Sequence, residues 1–298
     1  MTQRLTPATA LLLTVPPLLW AGNAVVGRLV RNDIAPFTLN FLRWIIAFAI
    51  LLPLGAWVLR RSGGMWPHWR RFALLGLLGV GLYNTLQYLA LQTSTPLNVT
   101  LVASSTPLWM LALGALFFDT KVSRPQLLGA VLSITGVAVV LARGERAQLL
   151  GLRLVIGDVF MLGATFCWAS YSWLLTRRAE PDAIRNDWAA FLLAQVTMGL
   201  MWSGVFTAGE WAMTDAQLRW SGSLVAALVF VAIGPAVLAY RCWGLGVQRA
   251  GPAVASFFAN LTPLFAALMS TVFLGESPQP YHLVAFVLIV AGIVVSSR

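Results

Sequence analysis

The sequence predicts an all-α integral membrane protein with ten transmembrane helices, arranged as two inverted five-helix repeats with both termini cytoplasmic. Three observations predict it. The composition is too apolar for a water-facing surface, the chain divides into ten apolar runs of bilayer length, and one long stretch returns 156 residues later. Of the 298 residues, 59% are hydrophobic and only 10% are charged. Soluble domains carry about 25% charged residues. Mean hydropathy is +0.79, so the solvent for most of the surface is lipid.

The runs fall at about 8–28, 36–59, 71–91, 97–118, 125–142, 154–176, 187–207, 222–247, 252–274 and 280–297, each near the length that crosses a hydrocarbon core. The first of them, with Arg4 before "ATALLLTVPPLLWAGNA", has some features of a signal peptide. It continues to Val30 and further runs follow, so an uncleaved first span is expected. Orientation follows from the basic residues. With the N-terminus in the cytoplasm, twelve arginines and lysines lie on the cytoplasmic side: Arg4, Arg60, Arg61, Arg70, Arg71, Lys121, Arg124, Arg177, Arg178, Arg185, Arg249 and Arg298. Six lie opposite: Arg28, Arg31, Arg143, Arg146, Arg153 and Arg219. Two more, Arg43 and Arg241, fall within spans.

The repeat supplies the rest of the architecture. "QTSTPLNVTLVASSTP" (92–107) aligns without a gap on "QRAGPAVASFFANLTP" (248–263). Gln92 falls on Gln248, Pro96 on Pro252, and Thr106-Pro107-Leu108 on Thr262-Pro263-Leu264. The register extends outward from Leu82 on Leu238 to Gly136 on Gly292 and Val139 on Val295. Repeats are read before anything else, and this one divides the chain into 1–148 and 149–298. Five spans per half is an odd number, so the second half enters the membrane from the opposite side. Inverted repeats of this kind characterise secondary transporters, whose site lies between the halves near the midplane.

Several features carry no site. The net charge of +10 comes almost wholly from arginines scattered between apolar runs, which is no footprint for nucleic acid. Cys167 and Cys242 lie inside apolar runs without CxxC spacing, so neither a disulfide framework nor a metal site is implied. No cofactor is implied either. Trp57, Trp66, Trp69, Trp188, Trp211 and Trp220 fall at span ends and read as an interfacial belt. "LLGLLGVGL" (74–82) suits close helix packing. There is no HExxH, no GxSxG and no carboxylate pair on one helix face, and His68 and His282 sit near loops.

What remains are polar and aromatic residues inside apolar helices, where they must face protein or a wet cavity. The candidate substrate-binding set is Trp20, Asn23, Tyr83, Asn84, Gln87, Tyr88, Ser104, Trp109, Trp168, Tyr171, Tyr240, Trp243 and Asn260. At the 156 offset Asn84 maps to Tyr240, Gln87 to Trp243 and Ser104 to Asn260; at a second offset of 148, Trp20 maps to Trp168 and Asn23 to Tyr171. Lipid-facing positions have no reason to be polar or aromatic in both halves, whereas a shared cavity does. The alternative, hydroxyls bonding their own backbone, suits Thr100, Ser105 and Ser256 best. Pro107 and Pro263 each remove a helix hydrogen bond, so each is expected to kink its span near mid-membrane and to act as a hinge. Asp158 is either a pathway residue or a helix N-terminal charge. Arg43 reads as an ion partner, and Arg241 snorkels or pairs.

These features together resemble the drug/metabolite transporter superfamily, EamA type. The resemblance rests on "WAGNAVVGR" (20–28), "PFTLNFLRW" (36–44), "TPLNVTLVASSTPLWMLALGALFF" (95–118), "LLGAVLSITGVAVV" (127–140), "GPAVASFFANLTPLFAALMSTVFLGE" (251–276) and "AGIVV" (291–295). Each motif alone is weak; in this order they are fairly specific and cover nearly the whole chain. The first half has "FFDTK" where the second has "FLGE", so the glutamate common in the family is present only as Glu276. The resemblance implies ten helices, inverted repeats, cytoplasmic termini and a central cavity. The aromatic content looks like the aromatic-amino-acid exporter branch (YddG-type).

The expected function is therefore alternating-access export of small metabolites, foremost neutral and aromatic amino acids, across a bacterial inner membrane. The first, third, fourth, sixth, eighth and ninth spans would line the cavity, and the fifth and tenth would brace it. The expected partners are a small-molecule substrate and the lipid bilayer. Oligomeric state is left open, with a monomer compatible. Competing readings are an exporter of drugs, nucleosides or sugars, a passive channel, and a membrane-embedded enzyme or scaffold.

Overall fold

The computed structural model of the chain describes residues 5–94, 96–145, 147, 151, 154–274 and 279–297. Arg4, Arg146, Arg153, Glu276 and Arg298, the side chain of Arg28 and the 148/149 boundary, all used in the sequence reading, lie outside the described residues. Helix covers all of the expected apolar runs. Extended pairing among the described residues is limited to one isolated bridge, Ile34 with Leu218.

Eight stretches are long and apolar enough to cross a bilayer: Pro7–Gly27, Pro36–Leu59, Trp66–Ala90, Asn98–Phe117, Arg124–Leu141, Trp188–Met213, Gly222–Ala250 and Pro252–Met269. Pro280–Ser296 is an apolar helix of 17 residues. Ile156–Leu174, of 19 residues, is less apolar because "WASYSW" (168–173) places aromatic and hydroxyl groups in its second half. The chain is thus a multi-pass membrane protein, all helical in architecture.

Local chemistry sets the helix starts. Thr6 caps Pro7–Leu29 by accepting from Thr9 N at 3.2 Å, and Pro7 occupies a first-turn position where its missing N–H costs nothing. Ser123 and Gln126 form a reciprocal capping box at the start of Arg124–Leu141. Asp187 Oδ1 accepts from Ala189 N and Ala190 N, both at 3.1 Å, to open Trp188–Met213.

Small residues set the helix packing, as is usual where lipid and side chain are equally apolar. Arg124–Leu141 lies against Pro280–Ser296, and a Cβ on Gly129 would stand 2.7 Å from the Gly292 oxygen. The same holds for a Cβ on Gly292 against the Gly129 oxygen, at 2.7 Å. Trp188–Met213 lies antiparallel to Pro36–Gly55 and is fastened to it at both ends. Glu210 accepts from Phe37 N, Thr38 N and the Thr38 hydroxyl at 2.9, 2.9 and 2.8 Å. At the other end Trp57 Nε1 donates to Asp187 Oδ2 at 2.8 Å.

Two departures from regular helix matter for the site, and each occurs twice. Residues Gly76–Leu82 and Ala232–Leu238 are wide-wound π-helical segments inside longer helices. They stand 156 positions apart at both ends, the offset of the sequence repeat. Pro235, which has no N–H to give, lies inside the second of them, and Gly79 takes the matching place in the first.

The second departure sharpens an expectation. The sequence reading places kinks at Pro107 and Pro263, but the structure interrupts the helix two to three residues earlier. Pro96–Ala103 ends in a turn at Ser104–Ser105 before Thr106–Phe117 begins, and Pro252–Ala259 ends at Asn260–Leu261 before Thr262–Leu274. Each proline then sits in the first turn of the second piece. The carbonyl it leaves unbonded belongs to Ala103 or Ala259. The threonine just before it takes up that oxygen: Thr106 Oγ1 donates to Ala103 O at 2.6 Å, and Thr262 Oγ1 to Ala259 O at 2.8 Å. The repeated Thr-Pro pair is therefore one device, with the proline opening the ladder and the threonine satisfying the acceptor.

Candidate functional site

Several side chains that correspond in the repeat lie close to one another. Trp20 and Trp168 meet edge to face with ring centroids 5.3 Å apart. Asn260 Nδ2 lies 3.4 Å from Ser104 O and donates to Ser133 Oγ at 2.9 Å. The Asn84 amide faces the Tyr240 hydroxyl without completing a bond from its Nδ2. The members of each pair stand 148 or 156 positions apart, the offsets of the sequence repeat.

Around these pairs lies one continuous aromatic cluster. Trp168 is its hub, with Tyr83, Tyr171, Tyr240 and Trp243 at centroid distances of 5.0, 5.2, 5.4 and 5.4 Å. Trp20 also meets Trp243 at 5.5 Å, and Trp44 meets Tyr240 at 5.0 Å. The expected open cavity is filled in this conformation: the rings are in contact, and Trp243 is 0% and Trp168 3% exposed. An apolar cleft of about 340 Å³ lies elsewhere, between Val26, Leu29, Val30, Ala227 and Phe230. It lacks the convergent polar groups that orient a ligand.

The polar ends of the cluster are held by the irregular backbone. Tyr240 Oη donates to Gly79 O in the first π-helical segment. Asn40 Nδ2 donates to Val80 O in the same segment at 3.2 Å, and Trp44 Nε1 donates to Asn40 Oδ1 at 3.1 Å. A Cβ on Gly79 would stand 2.8 Å from the Tyr171 ring, so glycine lets that ring lie on the backbone. Tyr171 Oη donates to Gln195 Oε1 at 3.0 Å, and Trp243 Nε1 to Ser172 Oγ at 3.0 Å. Wide-wound turns expose carbonyls and often mark functional positions.

The other candidates are distributed differently. Asn23 and Gln87 are half-buried on the helices that carry Trp20 and Asn84. Tyr88 is within electrostatic range of Tyr83 and Tyr240. Trp109 packs away from the hub, edge to face on Phe166 at 5.4 Å. Ser104 and Asn260 belong to the helix breaks, with the Ser104 hydroxyl bonded to Leu101 O at 2.6 Å. Ser105 and Ser256 bond carbonyls three residues back, both at 2.6 Å, as the backbone reading expected.

The three ionisable residues separate cleanly. Asp158 is 2% exposed and accepts from Ser94 Oγ, from Asn98 Nδ2 at 3.2 Å and from Val155 N at 2.9 Å. It is a satisfied helix cap. The Arg241 guanidinium lies over the Trp188 ring, 4.2 Å from its centroid. Arg43 is the exception. It is 3% exposed, its guanidinium lies over the Trp44 ring 5.1 Å from the centroid, its Nε has no hydrogen-bond partner, and among the described residues no carboxylate pairs with it. Together with Asn40 and Trp44 it is the part of the cluster absent from the candidate set. A usable signal was present: Asn40, Arg43 and Trp44 share one face of an apolar span.

Outside the spans, Glu180 joins Arg71 and Arg185. Burial works against its ionised form, but the Arg185 hydrogen bond and the charges of Arg71 and Arg185 outweigh this, holding the carboxyl below its ordinary value. Among the described residues no group of His, Cys, Asp and Glu gathers for a metal.

Comparison with known proteins agrees with this architecture. The EamA-like transporter family model matches twice, over residues 7–142 and 155–298. A protein of Archaeoglobus fulgidus described as an uncharacterized transporter is 26% identical over 96% of each chain. The aromatic amino acid exporter YddG of Ancylobacter novellus is 25% identical over 94% of this chain and 93% of its own. A solved crystal structure superposes with a TM-score of 0.75 at 22% identity, covering 97% of each chain, and shares the fold. The chain is a transporter and not an enzyme: it belongs to the EamA-like transporter family.

Proposed function

We propose that this protein exports neutral and aromatic amino acids across a bacterial inner membrane by alternating access. In this reading ten spans form two inverted halves, 1–148 and 149–298, with both termini cytoplasmic. The observation that carries it is the meeting of repeat-related residues in one closed aromatic cluster between two interrupted helices. Discontinuous helices at the junction of inverted repeats are where secondary transporters hold substrate. The amino-acid assignment is supported by the aromatic faces and by the likeness to an aromatic amino acid exporter.

The cluster opens when the halves rock. The pieces on either side of Ser104–Ser105 and Asn260–Leu261 swing about Pro107 and Pro263, while Arg124–Leu141 and Pro280–Ser296 stay locked by their glycines. Opening separates Trp168 from Trp20 and Tyr83 and admits a side chain to their faces. Asn84, Gln87, Tyr88 and Asn23 then offer polar contacts. Asn260 is engaged with Ser104 and Ser133 and serves the gate more than the ligand.

Counterflow tests this. Proteoliposomes loaded with unlabelled threonine, methionine or phenylalanine are offered the labelled amino acid outside. Saturable accumulation that depends on the trapped amino acid is the expected result. Flux without counterflow would indicate a channel, and no flux of any amino acid would leave drugs, nucleosides or sugars as the substrate.

A further inference from the structure

We propose that Arg43, with Asn84, is an anion site inside the membrane that takes the carboxylate of the transported molecule. The inference rests on the amino-acid reading and narrows it: the substrate must present a carboxylate, and the arginine selects for it. Three observations carry the site.

First, the arginine is deep. It is the eighth residue of Pro36–Gly55, so it lies about 10 Å from the helix start. A cation at that depth is costly unless a partner or water compensates it. Second, two buried donors of the aromatic cluster complete no hydrogen bond. Arg43 Nε and Asn84 Nδ2 are the two orphaned buried side-chain atoms among the described residues, at 3% and 4% exposure. Both belong to the aromatic cluster: Arg43 is within electrostatic range of Tyr83 and Tyr240, and Asn84 faces Tyr240. Tyr240 gives its own hydrogen to Gly79 O, so it competes for no acceptor in the site. Third, among the described residues no carboxylate of the surrounding helices is left for Arg43: Ser94, Asn98 and Val155 occupy Asp158, and Phe37 and Thr38 occupy Glu210.

Two unmatched donors, one of them charged, call for a group that only accepts and carries negative charge. A carboxylate does both and matches the planar guanidinium. The ammonium of the same zwitterion meets no protein carboxylate here, and the faces of Trp20, Trp168 and Trp243 provide cation–π contacts in its place. With the carboxylate bound, the arginine is neutralised before the cluster moves, so the loaded carrier crosses without an uncompensated cation.

The test compares ligands that differ at one group. Purified protein is assayed by thermal shift with phenylalanine, phenylalaninamide, 3-phenylpropionate and inorganic phosphate, and by competition of the same compounds against labelled phenylalanine in counterflow. Phenylalanine and 3-phenylpropionate should raise the unfolding temperature, while the amide and phosphate should not. The amide should compete about tenfold or more weakly than phenylalanine, the loss expected for one charge-assisted bond. Arg43→Gln should bring acid and amide within about twofold of each other, and Arg43→Lys, which keeps the charge without the fork, should fall between. Equal competition by acid and amide in the wild type, or a preference that survives Arg43→Gln, would overturn the proposal. If Arg43→Gln does not fold, the wild-type ligand series and Arg43→Lys still decide. If phenylalanine is not transported at all, the amino-acid reading fails on its own. The site is then judged by the 3-phenylpropionate shift, whose absence from the wild type overturns it.

Discussion

Arginine is buried in two regions of this molecule, and the two are treated in opposite ways. At one end of the bundle Arg71 and Arg185 close on Glu180. Arg71 also donates to Leu174 O and Arg177 O at 3.0 and 2.6 Å, and Arg185 to Glu180 Oε1 and Leu175 O at 2.7 and 2.6 Å. The two arginines share the Glu180 carboxylate, and each also reaches backbone carbonyls. In the middle of the bundle no carboxylate among the described residues pairs with Arg43, its Nε has no acceptor, and its guanidinium lies over the Trp44 ring, 5.1 Å from the centroid. The satisfied cluster joins the loop after Ile156–Leu174 to the start of Trp69–Leu75, and its role is to hold parts together. Arg43 joins no such network, which fits the anion site proposed for it.

The contrast predicts opposite outcomes for similar substitutions. Glu180→Ala leaves two arginines facing each other at a buried site, and the fold should lose about 3–5 kcal/mol, read as a fall in unfolding temperature in detergent. Arg43→Met removes a charge that no carboxylate among the described residues compensates and that rests only on the Trp44 ring, so the unfolding temperature should hold or rise while counterflow is lost. A large destabilisation by Arg43→Met would make the two regions alike and would remove the distinction.

Next in size is Gly129→Leu, which forces the helices Arg124–Leu141 and Pro280–Ser296 apart at their closest approach and should cost about 1–3 kcal/mol. Glu210→Gln weakens three bonds at the start of Pro36–Gly55, the helix that carries Arg43. It should cost about 1–2 kcal/mol. The smallest effect is that of pH. The Glu180 carboxyl is held below its unfolded value, so its contribution to stability is complete above that value, about 4.3. The contribution is lost as pH falls through the folded value. Unfolding temperatures of the wild type should therefore fall on acidification below about pH 4 more steeply than those of Glu180→Gln.

Much of this was legible in the sequence because the membrane restricts what a chain can do. Apolar runs had to be helices, and a doubled Thr-Pro-Leu had to be a doubled structure. Trp20, Trp168, Tyr83, Tyr171, Tyr240 and Trp243 stand out in sequence as polar or aromatic residues inside apolar helices, and they gather in the structure. Other features depended on contacts between helices that no local pattern reports. The break before Pro107 falls at Ser104–Ser105 because hydroxyls of the same turn satisfy the opened carbonyls. The π-helical segments follow from Gly79 and Pro235 together with the rings and amides that reach their backbone. The sequence leaves Asp158 open as pathway residue or helix N-terminal charge; the bond from Val155 N makes it a cap, and Ser94 and Asn98, distant in sequence, occupy the rest of its carboxylate. Arg43 reads in sequence as an ion partner, and only the packing of the helices shows that no carboxylate among the described residues pairs with it.

The most direct measurement of the whole account is phenylalanine counterflow by the wild type beside Trp168→Ala, with both proteins matched for yield and monodispersity. Trp168 touches Trp20 and four further rings, so saturable exchange by the wild type and its loss in the variant are expected. Full exchange by Trp168→Ala would place the substrate path somewhere other than between the two halves.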